Sequence, residues 1–292
     1  MQNIKHIDSL ELSELQPYRT MRRAAGHVKQ GIFVAESEKV VRKLLASNIT
    51  IMSMLITPQW YENIFSDNPR PNDEGGWATT QQSNATTELS PDFTIYIAEK
   101  SLLESIVGFD LHQGIMAVAK IPKPLLIEEV LKQSLQPYLF VALDGLTNAD
   151  NLGVIVRNCV AFGATGLIVG ETSSSPYLRR AIRQSMGYVF DLPVIHVSDL
   201  AATLKLMSAK YNIQTIAADA HANVVSVEEA NLKENICIVL GSEASGIRKN
   251  VLDACIEKVT IPLSGKVDSL NVASASAIFL WEVKRKRISD IK

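Results

Sequence analysis

The 292-residue chain has no apolar run of the ~18–20 residues that a bilayer-spanning helix needs. Its first residues, Met1-Gln2-Asn3-Ile4-Lys5-His6, are polar and do not lead into an apolar signal core. A soluble, cytoplasmic protein with no membrane partner is expected. Cysteine is scarce: Cys159, Cys237 and Cys255 each sit inside an apolar stretch, and no Cys-x-x-Cys or Cys/His ligand spacing occurs. A disulfide framework and a metal site are therefore not expected; these thiols read as small buried hydrophobes. A basic excess is missing too. The 29 Lys and Arg residues face 31 Asp and Glu, for a net charge of -2. Nucleic-acid binders usually present a basic face, and here any such face must be local. Two clusters offer one: Arg19, Arg22, Arg23, His27 and Lys29, and then Lys284, Arg285, Lys286 and Arg287. Each is more often a solvated helix face than an RNA footprint.

Phosphate-loop signatures are also lacking. Gly241-Ser242-Glu243-Ala244-Ser245-Gly246 has the glycine spacing of a P-loop, but Ile247-Arg248 stands where Lys-Ser/Thr is required. No Gly-x-Gly-x-x-Gly follows a first parallel strand. A nucleoside-triphosphate or nicotinamide enzyme is thereby disfavoured.

What is present is a large apolar fraction, 47%, in a chain long enough for two domains. The first part, residues 1–121, reads as a small α/β unit. Val40, Val41, Leu44 and Leu45 recur at helical spacing within 36–46. Strands are expected at 51–56, 93–98 and 115–119, with a helix at 99–107. Residues 66–92, with Pro69, Pro71, Gly75, Gly76 and a polar run, predict a flexible insertion. Ile121-Pro122-Lys123-Pro124 marks the domain boundary. A linker over 122–137 carries a helix near 125–134, and residues 138–292 form the second domain. There, strands at 138–143, 166–169, 193–197, 213–217, 236–240 and 258–261 alternate with helices at 152–162, 177–185, 199–209, 247–254 and 270–287. Such alternation predicts a mainly parallel sheet covered on both faces. Ligands of such sheets collect outside the carboxyl ends of the strands, near Asp144, Gly241 and Leu263.

Three polar clusters lie at these ends. The first runs from Asp144 through Asn151-Leu152-Gly153-Val154-Ile155-Val156-Arg157. Asp150 or Asn151 can cap the helix that opens there. Arg157 stands on an otherwise apolar helix, where burial requires an anionic or polar partner. The second is the Gly241–Gly246 loop, whose Glu243 can cap the next helix. In the third, Ser269-Leu270-Asn271-Val272-Ala273, Ser269 reads as an N-cap; a plain cap does not account for Asn271.

Together the three clusters resemble the motifs of the SpoU family of RNA ribose methyltransferases, within the SPOUT superfamily. The resemblance spans about residues 17–287. It implies an α/β fold: a C-terminal parallel-sheet domain with a trefoil knot, behind a smaller N-terminal α/β domain. That first domain is similar to L30e-like RNA-binding domains through Arg22, Gly31-Ile32-Phe33-Val34-Ala35-Glu36 and His112-Gln113-Gly114-Ile115-Met116-Ala117-Val118. By the resemblance, Asn151, Arg157, Glu243, Ser269 and Asn271 are the catalytic positions. Gly241, Ile261 and Leu270 are the cofactor-contacting ones, and S-adenosylmethionine is the cofactor. Ser242 and Ala244 depart from a common Asn and Gly, but both remain small. The implied activity is methylation of a ribose 2'-hydroxyl, in 23S rRNA with tRNA as the alternative substrate, by a homodimer joined through the C-terminal domain. Arg157 is expected to hold a substrate phosphate and to stabilise developing oxyanion charge, because guanidinium keeps its proton above pKa ~12. The competing class is a non-catalytic RNA-binding protein that retains the fold.

Overall fold

The computed structural model describes residues 3–65, 88–107, 114–220 and 225–288. Most of the expected insertion, 66–87, and the pair His112-Gln113 lie outside these residues. The chain divides into two compact units. One comprises Met1–Pro122 with Tyr177–Phe190; the other comprises Lys123–Pro176 with Asp191–Lys292. Among the described residues no helix is long and apolar enough to cross a membrane.

The first unit opens with β1 (Asn3–His6), α1 (Gln16–Arg19) and α2 (Ala24–Lys29). Then come β2 (Ile32–Glu36), α3 (Glu38–Leu45), β3 (Ile51–Ile56) and α4 (Pro58–Phe65). After the undescribed stretch follow β4 (Leu89–Ile97), α5 (Lys100–Val107) and β5 (Ile115–Lys120). They form a mixed five-stranded sheet in the order β1-β4-β3-β5-β2. The helical stripe on α3 is buried as its spacing predicts. Strand β4 starts four residues before the expected Phe93, at Leu89, which pairs in parallel with Ile51. Residues 89–92 are thus strand, not insertion; just upstream, the Ile51 N–H donates to the Glu88 carbonyl at 2.9 Å. Pairing with β3 prevails over the polar, Pro91-bearing composition, and the register slips between Ile51 and Ser53 to accommodate it.

The second unit begins with α6 (Ile127–Gln133), β6 (Leu139–Asp144), α7 (Ala149–Phe162) and β7 (Gly166–Val169). The chain then enters the first unit as α8 (Arg179–Gln184). It continues through β8 (Val194–His196), α9 (Leu200–Tyr211), β9 (Gln214–Ala218) and β10 (Val225–Ser226). It closes with β11 (Ile236–Gly241), α10 (Lys249–Leu252), β12 (Glu257–Thr260) and α11 (Val272–Ile288). The seven strands have the order β10-β12-β9-β11-β6-β7-β8, and every pairing is parallel. β6 and the first five residues of β11 are buried throughout, as central strands of a covered parallel sheet must be. The expected linker helix is part of this core: Ile127 and Val130 pack with Phe140, Leu200 and Leu204.

The sequence leaves Tyr177–Phe190 in the second domain, yet it clusters with the first unit. Its side chains give the reason. Tyr177 and Phe190 hold their rings 5.7 and 5.5 Å from that of Phe33, Arg179 pairs with Glu36, and Lys43 lies 3.9 Å from the centre of the Tyr188 ring. The cysteines behave as apolar filling. Cys159 and Cys237 are buried, and burial pushes the thiols of Cys159 and Cys255 up to about 12.

Candidate active site

Helix α7 starts at the carboxyl end of β6. Its cap is Asn148, whose side chain accepts from the backbone N–H groups of Asp150 at 2.9 Å and Asn151 at 3.2 Å. Neither Asp150 nor Asn151 serves as the cap, so the Asn151 amide is available for other work. Its Nδ2 donates to Glu243 Oε1, and its Oδ1 accepts from Asn271 Nδ2 at 3.1 Å. Asn271 Oδ1 in turn accepts from the N–H groups of Ala273 at 2.9 Å and Ser274 at 3.4 Å. Asn271, rather than Ser269, therefore caps α11. Glu243 caps no helix, since α10 begins behind Arg248 and Glu243 is committed to Asn151.

The polarity of this chain of bonds is fixed from both ends. A carboxylate only accepts, and a backbone N–H only donates. Glu243 must then receive from the Asn151 NH2, which leaves the Asn151 oxygen to receive from Asn271. The Asn271 oxygen is left for the helix N–H groups. One residue from each of the three sequence clusters is joined in a single directed line, although they lie 92 and 120 positions apart.

Beside this line is a cavity of about 470 Å³, within the usual range for a small-molecule site. The loop after β11 forms one wall: Gly241, Ser242, Glu243, Ala244, Ser245, Gly246 and Ile247. Ile261, Ser269, Leu270 and Asn271 line the opposite side, and Ala218 and Asp219 at the end of β9 also contribute. The loop closes tightly on itself. Ser242 and Gly246 exchange backbone hydrogen bonds of 3.0 and 2.9 Å. A Cβ on Gly241 would sit 2.3 Å from the Gly246 carbonyl carbon, so only glycine fits there. Among the described residues its lining includes two carboxylate residues, Glu243 and Asp219, and no Lys, Arg or His. That charge balance suits a cationic ligand and disfavours a polyphosphate.

Of the expected site residues, Gly241, Glu243, Ile261, Ser269, Leu270 and Asn271 line the cavity, and Asn151 touches two of them. Arg157 does not line it. Six positions beyond Asn151 on the same helix, it points about 120° away around the axis. It is exposed, not buried as the apolar helix suggests, and among the described residues it makes no hydrogen bond or ion pair. Sequence reasoning also missed Asn158. At seven positions beyond Asn151 it shares that residue's face of α7, and its Nδ2 donates to Ala273 O at 3.0 Å and Ser276 Oγ at 2.9 Å on α11. The i+7 spacing was the available signal. Asp144, Glu171 and Arg248 were missed as a group. Arg248 lies 2.6 Å from both carboxylates.

Residues 138–281 match the model of the SpoU rRNA Methylase family. The chain is 31% identical over 213 residues to the 23S rRNA (guanosine-2'-O-)-methyltransferase RlmB of Acinetobacter baylyi, covering 71% of this chain and 86% of that protein. The Vibrio parahaemolyticus protein of the same name is 34% identical over 183 residues, covering 61% and 72%. Among solved structures, the SpoU methyltransferase AviRb from Streptomyces viridochromogenes shares the fold with a TM-score of 0.75 at 22% identity, covering 96% and 99% of the two chains. An RNA 2'-O ribose methyltransferase aligns with a TM-score of 0.69 at 25% identity, over 99% and 100%. With three polar clusters joined at one cavity on a parallel sheet, and with these relatives, the chain belongs to the SpoU rRNA methylase family.

Proposed function

We propose that the protein methylates a ribose 2'-hydroxyl in 23S rRNA, with S-adenosylmethionine held in the cavity beside Glu243 and Asn271. The observation that carries this reading is the line Glu243–Asn151–Asn271 at the rim of a cavity lined by carboxylates and closely folded backbone. When bound, the cofactor supplies a methyl group already activated on a positively charged sulfur. The protein's part is then mostly positioning. The Gly241–Ile247 loop and Ile261–Leu270 hold the cofactor, largely through backbone groups. Asn151 and Asn271, each fixed at both ends of its amide, present a rigid edge that orients the ribose. Ser269, exposed in the cavity wall, is placed to hydrogen-bond the reacting hydroxyl.

Arg157 binds the RNA phosphate and stabilises charge developing on the attacking oxygen. It does so in a homodimer. Helices α7 and α11 are tied together through Asn158, and their outer face exposes Val154, Ile278 and Trp281 at 36%, 37% and 54%. A second copy covering this apolar face brings Arg157 to a site that its own chain's cavity does not include. The first unit, with Arg23, Lys29, Arg180 and Arg183 exposed, supplies the RNA-binding surface in the cytoplasm. The trefoil knot belongs to the same reading: β11 and β12 flank β9, so the chain crosses β9 between them.

The test is methyl incorporation from labelled S-adenosylmethionine into 23S rRNA, 16S rRNA and tRNA, followed by mass-spectrometric mapping of ribose methyls. Label in 23S rRNA at one ribose is expected, and Arg157→Ala abolishes it while leaving cofactor affinity unchanged. Label confined to tRNA, to a base, or absent altogether overturns the reading.

A further inference from the structure

The seven residues from Gly241 to Ile247 make one wall of the cavity and carry Glu243. The Ser242–Gly246 hydrogen bonds close the loop on itself but do not fix it to the sheet, and its residues Glu243, Ala244, Ser245 and Gly246 are exposed. Both of its ends meet at one residue. Asp144, the last residue of β6, is in parallel register with Gly241, where the loop departs. Where the loop returns, Asp144 Oδ2 accepts from the Arg248 backbone N–H at 2.7 Å, and Oδ1 accepts from Arg248 Nε at 2.7 Å. Arg248 Nη2 lies 2.6 Å from the same Oδ1. The other side of the guanidinium faces Glu171, whose Oε1 lies 2.6 Å from Nη2. Glu171 is itself anchored, because its Oε2 accepts from the Leu200 N–H at the start of α9, at 3.0 Å.

We propose that Asp144, Arg248 and Glu171 form a positioning clamp that sets the shape of the Gly241–Ile247 loop and thereby the cofactor affinity of the cavity. This rests on the reading of the cavity as the S-adenosylmethionine site. Stability alone does not account for the trio. Asp144 is fully buried, and taking a carboxylate out of water costs several kcal/mol, which a buried partner offsets only when the geometry is good. An apolar replacement of a buried ion pair is often no less stable. What it would not supply is a fork with fixed directions. The Arg248 guanidinium and its own backbone N–H grip the two oxygens of one carboxylate, so the residue ending the loop has one allowed position. The charge states agree with this geometry. Burial pushes the Glu171 carboxyl up, but hydrogen bonds from backbone and from Arg248 outweigh it and hold it below its ordinary value. The hydrogen bond to Asp144 raises the Arg248 guanidinium further.

The experiment uses the full-length protein. Calorimetry with S-adenosylmethionine, RNA affinity and thermal unfolding are measured for wild type, Arg248→Gln, Arg248→Lys and Glu171→Gln. Arg248→Gln is expected to weaken cofactor binding about tenfold or more, the loss of a charge-assisted hydrogen-bond set. Arg248→Lys, which keeps the backbone bond and a cation, recovers part of that affinity. Glu171→Gln gives the smallest loss and serves if Arg248→Gln does not fold. RNA affinity stays unchanged in every folded variant. Folded Arg248→Gln or Glu171→Gln variants that bind cofactor like wild type would overturn the clamp. So would a loss of cofactor binding matched by an equal loss of RNA affinity. Wild-type protein that binds no S-adenosylmethionine at all would instead sink the reading of the cavity itself.

Discussion

The two ends of the parallel sheet use polar side chains in opposite ways. At the carboxyl end, Asn151, Glu243 and Asn271 link to one another around an open cavity, and Glu243 and Asn271 are exposed. At the amino end the polar groups close on the backbone. Asn235 Oδ1 accepts from the Tyr138 N–H at 2.8 Å, and Thr165 Oγ1 accepts from the Leu139 N–H at 2.9 Å. Arg287 donates to the carbonyls of Pro137, Tyr138 and Glu234 at 3.0, 2.8 and 2.6 Å. Helix α11 connects the two regimes, with Asn271 at its start and Arg287 in its last turn. Backbone carbonyls are fixed partners that need no ligand; Asn151 and Glu243, bonded through side chains at a cavity rim, retain capacity for one. On the proposed reading, one end of the sheet carries chemistry and the other carries stability.

The comparison can be broken in four steps, from the largest effect down. Asn151→Ala cuts the line between Glu243 and Asn271, and methyl transfer should fall by about 100-fold or more. Its thermal midpoint should move little; initial rates and melting curves together check this, and a large loss of stability would erase the contrast. Arg287→Ala should do the reverse. Three carbonyls lose a charged donor, for about 2–3 kcal/mol of stability. The midpoint drops by several degrees in a calorimetric scan, while the rate at a permissive temperature stays near wild type. Asn235→Ala removes one acceptor from the Tyr138 N–H and should cost about 1 kcal/mol by denaturant titration, again with activity intact. Asp199→Ala sharpens the comparison. Asp199 accepts from the Ala202 N–H at 2.9 Å as the cap of α9, following the carboxyl end of β8 but outside the cavity. A loss of about 1 kcal/mol without loss of activity would show that lining the cavity, not lying at the carboxyl end, is what matters.

Much of this was legible in the residues. The apolar runs at 138–143 and 236–240 became the adjacent central strands β6 and β11, because buried parallel strands have no polar face to interrupt them. The order of the strands was not legible, since a sequence does not record which run lies beside which. Nor was the two-residue β10, too short to show a period. Helix starts were misread at single positions. Ser269, Asp150 and Asn151 are all good cap types, and only the local backbone decides that Asn271 and Asn148 do the capping. The cluster Lys284–Arg287 read as a solvated face or an RNA footprint. Two of its members turn inward instead: Lys286 donates to the carbonyls of Val227, Glu228 and Ala230, and Arg287 to three others. Charge is visible in a sequence, but its direction is not. For the same reason the clamp around Asp144 was hidden: its partners are 27 and 104 positions away and reach it only through the fold.

The double duty of Asn271 changes what its presence can be taken to mean. Its oxygen starts a helix while its nitrogen serves the cavity. A descendant that abandoned the reaction would still keep a capping residue there, asparagine among them, simply to fold. Among the described residues Arg157 makes no comparable bond, and selection for stability alone would let it drift. If Arg157 has the role proposed above, it is the more telling letter for judging whether a chain of this type is still an enzyme.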